Sequence, residues 1–175
     1  MQNTYPPLVG FAAYSGSGKT TLVTQLIPLL KTKGLRITVI KHSHHLFDID
    51  QPGKDSYRFR SAGANTVLLA SKKRRAIMTE MTVENEPRLT EQLEHLNSSQ
   101  IDLILVEGFK AEVFPKIEVH RPNHGKPLLY PNDPSIIAVA SDSSLTLPGH
   151  IRLLDLNNPP IIANFILDSI VNTTL

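Results

Sequence analysis

The sequence predicts an α/β fold, a mainly parallel central β-sheet flanked by helices. Three observations predict it. Short apolar runs of strand length alternate with segments of helical periodicity. The first strand candidate runs directly into a glycine-rich stretch, Gly10–Leu22 (GFAAYSGSGKTTL), that opens a helix. The most apolar run, Ile101–Phe109 (IDLILVEGF), has no room for a solvated face, as expected of a strand covered on both sides.

The elements follow in order. Pro7–Tyr14 (PLVGFAAY) is a buried strand, and Lys19–Lys33 is a helix with Leu22, Leu26, Leu29 and Leu30 on one stripe. Gly34 stops that helix, and Pro28, which lacks an N–H, predicts a bend near Thr24–Pro28. Leu35–Lys41 (LRITVIK) is β-branched and reads as a strand. A polar loop from His42 to Lys54 turns at Pro52-Gly53, and Asp55–Gly63 reads as a short helix with Asp55 as its N-cap. ANTVLLAS and RAIMTEM are two further strands, with Lys72–Arg75 (KKRR) between them. NEPRLTEQLEHLNSS is a helix with Pro87 at its start and Leu89, Leu93 and Leu96 on one face. KIEVH and SIIAVASD are strands, and Pro159–Val171 closes the chain as a helix. The tract 114–134, with five prolines, reads as an irregular excursion from a single domain spanning 1–175.

Composition narrows the function classes. The chain has 175 residues, 41% apolar and 19% charged, with a formal charge of +2. A balance so near neutrality does not argue for nucleic acid as a partner. No apolar run is long enough to span a bilayer, and the N-terminal stretch lacks the pattern of a secretory signal. There is no cysteine, which removes disulfides and thiolate metal sites.

The glycine-rich stretch carries the chemistry. It ends in Gly-Lys-Thr, as phosphate-binding loops do, although Ala13 stands where the Walker A pattern has its first glycine. Ala13 falls at the end of the strand, where a methyl is tolerated if φ is negative. Gly16 and Gly18, the glycines that let successive N–H groups face an anion, are both present. The fold expectation is therefore of the P-loop NTPase type. Ser15, Gly16, Ser17, Gly18, Lys19, Thr20 and Thr21 are the candidate nucleotide ligands. Lys19 would meet the β- and γ-phosphates, Thr20 would bind Mg²⁺, and Thr21 would lie near the α-phosphate. In parallel sheets ligands gather at the C-terminal strand ends. Asp102 and Glu107 sit about 16 Å apart along one strand, so only Glu107 can reach the metal. Asp102 is read as structural or solvated. Since nucleoside triphosphates are cytoplasmic, that is the expected address.

Other segments leave alternatives open. The stretch Lys41–Ser56 (KHSHHLFDIDQPGKDS) is a polar loop, a transition-metal site built on His42, His44, His45 and the aspartates, or a nucleotide-sensing switch. In the switch reading Asp48 or Asp50 orients water or Mg²⁺, and Lys41, His42 and Lys54 contact phosphate or a partner. Candidate catalytic residues are Lys19, Asp50 and Glu107. Asp142, at the end of AVASD, is a base contact or a turn residue. The N-K-x-D motif of many GTPases is absent, so the residues alone leave guanine and adenine open.

FAAYSGSGKTTL, VIKHSHHLFDIDQPGKDSYRFRSAGA, DLILVEGFK and IIAVASD together resemble the MobB family of molybdopterin-guanine dinucleotide biosynthesis adaptor proteins, over nearly the whole chain. The resemblance accommodates alanine at the first Walker A position. It implies binding of GTP with Mg²⁺, weak GTP hydrolysis and a homodimer. It also implies assistance to the nucleotidyltransferase MobA, which joins GMP to molybdopterin, and leaves molybdopterin itself as a candidate ligand. Two other readings remain at this stage: a P-loop kinase for a small metabolite, and a metal-delivering GTPase using the His42–Asp50 loop.

Overall fold

The computed structural model describes residues 5–43, 47–83 and 85–173. The chain forms two compact units, Met1–His42 with Arg88–Leu175, and Ser43–Pro87.

The larger unit is built on a six-stranded sheet. Its strands are β1 (Leu8–Ala12), β2 (Ile37–Lys41), β5 (Leu103–Glu107), β6 (Lys116–His120), β7 (Ile136–Ser141) and β8 (Arg152–Asp155), in the order β2-β5-β1-β6-β7-β8. All of the pairings are parallel. Every strand therefore delivers its C-terminal end to one edge of the sheet, where the site lies. The residues explain the order. β5 and β1 are neighbouring interior strands, and their side chains are almost completely buried, as the unbroken apolar runs require.

Helices cover both faces. On one face α1 (Lys19–Thr32) and α4 (Pro159–Ile166) bring Leu22, Leu26, Leu30, Ile162 and Ile166 onto Val9, Phe11, Leu103, Leu105, Ile117 and Val119. On the other, Leu89 and Leu93 of α3 (Leu89–Glu94) pack with Ile104, Val106, Phe109 and Phe114. α1 continues unbroken through Pro28, and Gly34, at φ 85°, ends it by donating its N–H to the Lys31 carbonyl. α3 is shorter than its sequence pattern, because a 3₁₀ turn at Ser98–Gln100 takes over its end. The closing helix passes into a π-turn over Leu167–Val171.

Two expectations need correction here. β6 lies between β1 and β7, so the tract 114–134 leaves the sheet only in its second half. KIEVH is the strand its alternation predicts, and what differs is that its polar residues are not solvated. Lys116, Glu118 and His120 share one face of the strand and are all buried. The Lys116 ammonium meets the carbonyls of Lys110 and Glu112, the Asp133 carboxylate and the Ser135 hydroxyl. The Glu118 carboxylate accepts from the amides of Leu129 and Tyr130. The second correction is β8, which the sequence reading passed over: a four-residue edge strand with only Leu154 fully buried.

The smaller unit holds α2 (Asp55–Ser61) and the strands β3 (Thr66–Ala70) and β4 (Arg75–Thr79). The two strands form an antiparallel pair of their own, with Lys72 and Lys73 in the turn that Ser71 and Arg74 close. Lys54, not Asp55, is the N-cap of α2. Asp55 stands in the first turn, where its charge complements the helix dipole and pairs with Arg58.

Candidate functional site

The loop from Ala13 to Gly18 joins β1 to α1. Ala13 is buried, and Phe109 is the only non-glycine residue among those described with a positive φ, so the alanine fits without strain. Gly16 and Gly18 have φ of 80° and 88°, a conformation that a Cβ would resist. Ser17 donates its amide back to the Tyr14 carbonyl at 3.3 Å and is itself buried. Among the described residues, the amides of Gly16, Gly18, Lys19, Thr20 and Thr21 donate to no protein acceptor. A cavity of about 380 Å³ opens over them, lined by Tyr14, Ser15, Gly16, Ser17, Gly18, Lys19, Thr20, Thr21 and Glu107. Unpaired amides at a helix N-terminus, with the dipole behind them, make a cradle for an anion.

Glu107 lies where strand direction predicts, at the C-terminal end of β5 and level with Phe11 of β1 and Lys41 of β2. The Thr20 hydroxyl donates to its two carboxylate oxygens at 3.2 and 3.4 Å. The ammonium groups of Lys19 and Lys41 stand 3.8 and 3.6 Å from the same carboxylate. Burial holds the Lys19 ammonium below the ordinary lysine range, while Glu107 pulls it the other way. Gly108 follows with φ 103°, and a Cβ there would sit 2.6 Å from that of His42. Phe109, at φ 51°, stacks its ring on His42 with centroids 4.9 Å apart. Asp102 sits at the opposite end of β5, held by Arg36 through three hydrogen bonds of 2.7–2.8 Å.

The next two strand ends contribute a pair that sequence reasoning connected only in part. Arg121, directly after β6, donates to the Ser17 carbonyl at 3.2 Å and to the Asp142 carboxylate at 2.5 Å. Asp142 therefore has an ionic partner, and an arginine lies beside the glycine loop with its guanidinium engaged by Ser17 and Asp142. Its signal was its place immediately after a buried strand. A second cavity of about 230 Å³ borders Gly18, Thr21, Gln25, Arg121 and Asn157.

Asp50 belongs to the smaller unit. Its carboxylate accepts from the Ser56 hydroxyl at 2.8 Å and from Arg60 at 3.4 Å. Arg60 also binds Asp48 and Glu80, which raise its pKa further. To orient water or metal, Asp50 would have to give up these partners. His44 and His45 lie outside the described residues. Among the described residues, no group of three or more His, Cys, Asp or Glu could hold a metal ion. A site of hydroxyl and carboxylate oxygens completed by phosphate and water is of a different kind, and Thr20 with Glu107 supplies two hard oxygen donors of that sort.

Fold and site together define a parallel α/β protein with a glycine-rich strand-to-helix junction at the C-terminal edge of its sheet. The chain matches the family "Molybdopterin guanine dinucleotide synthesis protein B" (MobB) over residues 8–142, and it belongs to that family. It is 46% identical over 166 residues to the molybdopterin-guanine dinucleotide biosynthesis adapter protein of Escherichia coli (strain K12), covering 94% of each chain. Identity to the adapter protein of Haemophilus influenzae is also 46%, over 94% of this chain and 89% of the other. Among solved structures, a molybdopterin-guanine biosynthesis protein B (mobB) superposes with a TM-score of 0.70 at 28% identity, covering 93% of this chain and 99% of that one. Bacillus subtilis MobB superposes with a TM-score of 0.73 at 20% identity, over 94% and 98% of the two chains, a likeness of fold.

Proposed function

We propose that this chain is a GTP-binding adaptor with slow GTP hydrolysis, assisting the nucleotidyltransferase MobA in attaching GMP to molybdopterin. The observation that carries the reading is the set of acceptor-free amides at the start of α1 beside the Thr20–Glu107 pair. Membership of the MobB family supports the biosynthetic role.

In this reading the acceptor-free amides of Gly16 and of Gly18 to Thr21 take the phosphate oxygens, and Lys19 leaves Glu107 for the β- and γ-phosphates. Thr20 and Glu107 would hold Mg²⁺. When bound, Mg²⁺ neutralises charge on the phosphate oxygens. Lys41 is the second cation at the Glu107 carboxylate and offsets its charge when Lys19 departs. Neither β5 nor its turn offers a glutamine to organise the attacking water, and Arg121 is engaged by Ser17 and Asp142. Those features favour slow turnover. The homodimer and a cytoplasmic address belong to the same reading. No helix of the described residues is long and apolar enough to cross a membrane.

Calorimetry of GTP and ATP, with and without Mg²⁺, tests the reading. GTP should bind more tightly with Mg²⁺ than without. Glu107→Gln should reduce that Mg²⁺ dependence more than it reduces binding itself. A protein that bound neither nucleotide, or whose Glu107→Gln variant kept the full Mg²⁺ effect, would show the assignment to be wrong.

A further inference from the structure

One guanidinium spans the C-terminal ends of three neighbouring strands. Arg121 follows β6, Ser17 lies in the loop after β1, and Asp142 follows β7. The Arg121 Nε donates to the Ser17 carbonyl at 3.2 Å, and its Nη1 donates to Asp142 Oδ2 at 2.5 Å. Its Nη2 lies against Gly18, 3.6 Å from where a Cβ would be. The contacts join residues 104 and 21 positions apart, so they are made by the fold and not by local sequence.

The carbonyl of Ser17 and the amide of Gly18 belong to one peptide group. That group is planar and trans, so its C=O and N–H point in opposite directions. A donor that fixes the Ser17 carbonyl on one side also aims the Gly18 amide to the other. Gly18 is free to rotate, having no Cβ and a φ of 88°, so without such a donor its peptide plane is the least determined part of the loop. The Gly18 amide is one of those with no protein acceptor. The planar guanidinium is itself held by the Asp142 carboxylate, which is only 17% exposed.

We propose that Arg121, locked by Asp142, is a positioning residue that sets the Ser17–Gly18 peptide plane and so orients the Gly18 amide toward a bound polyphosphate. Asp142 then acts on the phosphate end of the site through Arg121. This rests on the phosphate-binding reading of the loop.

The test is calorimetry of GTP and of inorganic tripolyphosphate, which has no base, on full-length wild type, Arg121→Ala, Arg121→Lys, Asp142→Asn and the Arg121→Ala/Asp142→Asn double variant. Thermal melts check the fold of each. Arg121→Ala should weaken both ligands alike, by about tenfold. Arg121→Lys keeps the charge but cannot bridge the carbonyl and the carboxylate at once, so it should resemble Arg121→Ala. It also carries the test if the alanine variant does not fold. Asp142→Asn should weaken tripolyphosphate as much as GTP, and the double variant should be no weaker than Arg121→Ala alone. Full affinity in Arg121→Lys, or an Asp142→Asn effect on GTP but not on tripolyphosphate, overturns the proposal. If wild type binds both ligands and Arg121→Ala binds them equally well, this inference fails alone. If wild type binds neither, the phosphate-site reading fails and this inference with it.

Discussion

Lys19 and Gly108 meet the same carboxylate neighbourhood for different reasons. Lys19 is held 3.8 Å from Glu107 with its pKa lowered by burial, so it has weak reasons to stay where it is. A polyphosphate offers it a stronger, charge-assisted contact. Lys19→Ala removes that contact and no core packing. GTP affinity should fall about 100-fold, on the order of 3 kcal/mol for a hydrogen-bonded charge, with an unchanged melting temperature. Calorimetry showing wild-type affinity in a folded variant would place the γ-phosphate elsewhere. Gly108 is a matter of space. Its φ of 103° and the 2.6 Å approach to the His42 Cβ leave nowhere for a methyl group to go. Gly108→Ala should cost about 3 kcal/mol from backbone strain and overpacking. For a chain of this size that lowers the melting temperature by roughly 10 °C. A melt within about 2 °C of wild type would mean that the turn after β5 yields easily.

At the scale of elements, β5 is anchored at one end and chemically open at the other. The anchor is Arg36, which joins the start of β2 to Asp102 and also donates to the Ser99 carbonyl at 2.9 Å. Hydrogen bonds from the Arg36 side chain and amide hold the Asp102 pKa down at about 2. A carboxylate depressed in the folded state contributes stability above its unfolded pKa, near 3.8, and loses it as pH falls toward 2. Wild type should therefore lose urea resistance more steeply between about pH 4 and 2.5 than Asp102→Asn does. Parallel curves for the two proteins would remove the pair from the acid response. The same elements explain what the sequence could reveal. The strand-to-helix junction at Gly16, Gly18 and Lys19 was legible because a glycine-rich turn is a local pattern. Glu107 was legible because strand direction alone separates it from Asp102. Arg121 was not, because the alternation of Lys116, Glu118 and His120 resembles a solvated face. Here that face is buried, and backbone groups of the segments before and after β6, Glu112 and Leu129, pair with Lys116 and Glu118. The pairing of β3 with β4 was hidden for another reason: its Ser71–Arg74 turn contains no glycine or asparagine to announce a hairpin.

For the whole molecule the proposed GTP site raises the question whether the nucleotide is turned over or held. A kinase-like enzyme of this fold class works at roughly 1–100 s⁻¹ by bringing a base or water-positioning residue and a free arginine to the transferring phosphate. The described residues around this loop bring two lysines, a threonine and a glutamate, and the nearby arginine is already engaged by two acceptors. On the proposed reading such a site would bind GTP and hydrolyse it slowly, as suits an adaptor. The purified chain should hydrolyse GTP far below 1 s⁻¹. It should also retain the nucleotidyltransferase MobA in a pull-down, and more of it with GTP and Mg²⁺ than without. Lys19→Ala should lose only the nucleotide-dependent part of that retention, because the variant leaves the fold intact. Rapid turnover in the absence of any partner, or retention indifferent to nucleotide in wild type, would turn the assignment from adaptor toward enzyme in the first case and sever the nucleotide from the partner in the second.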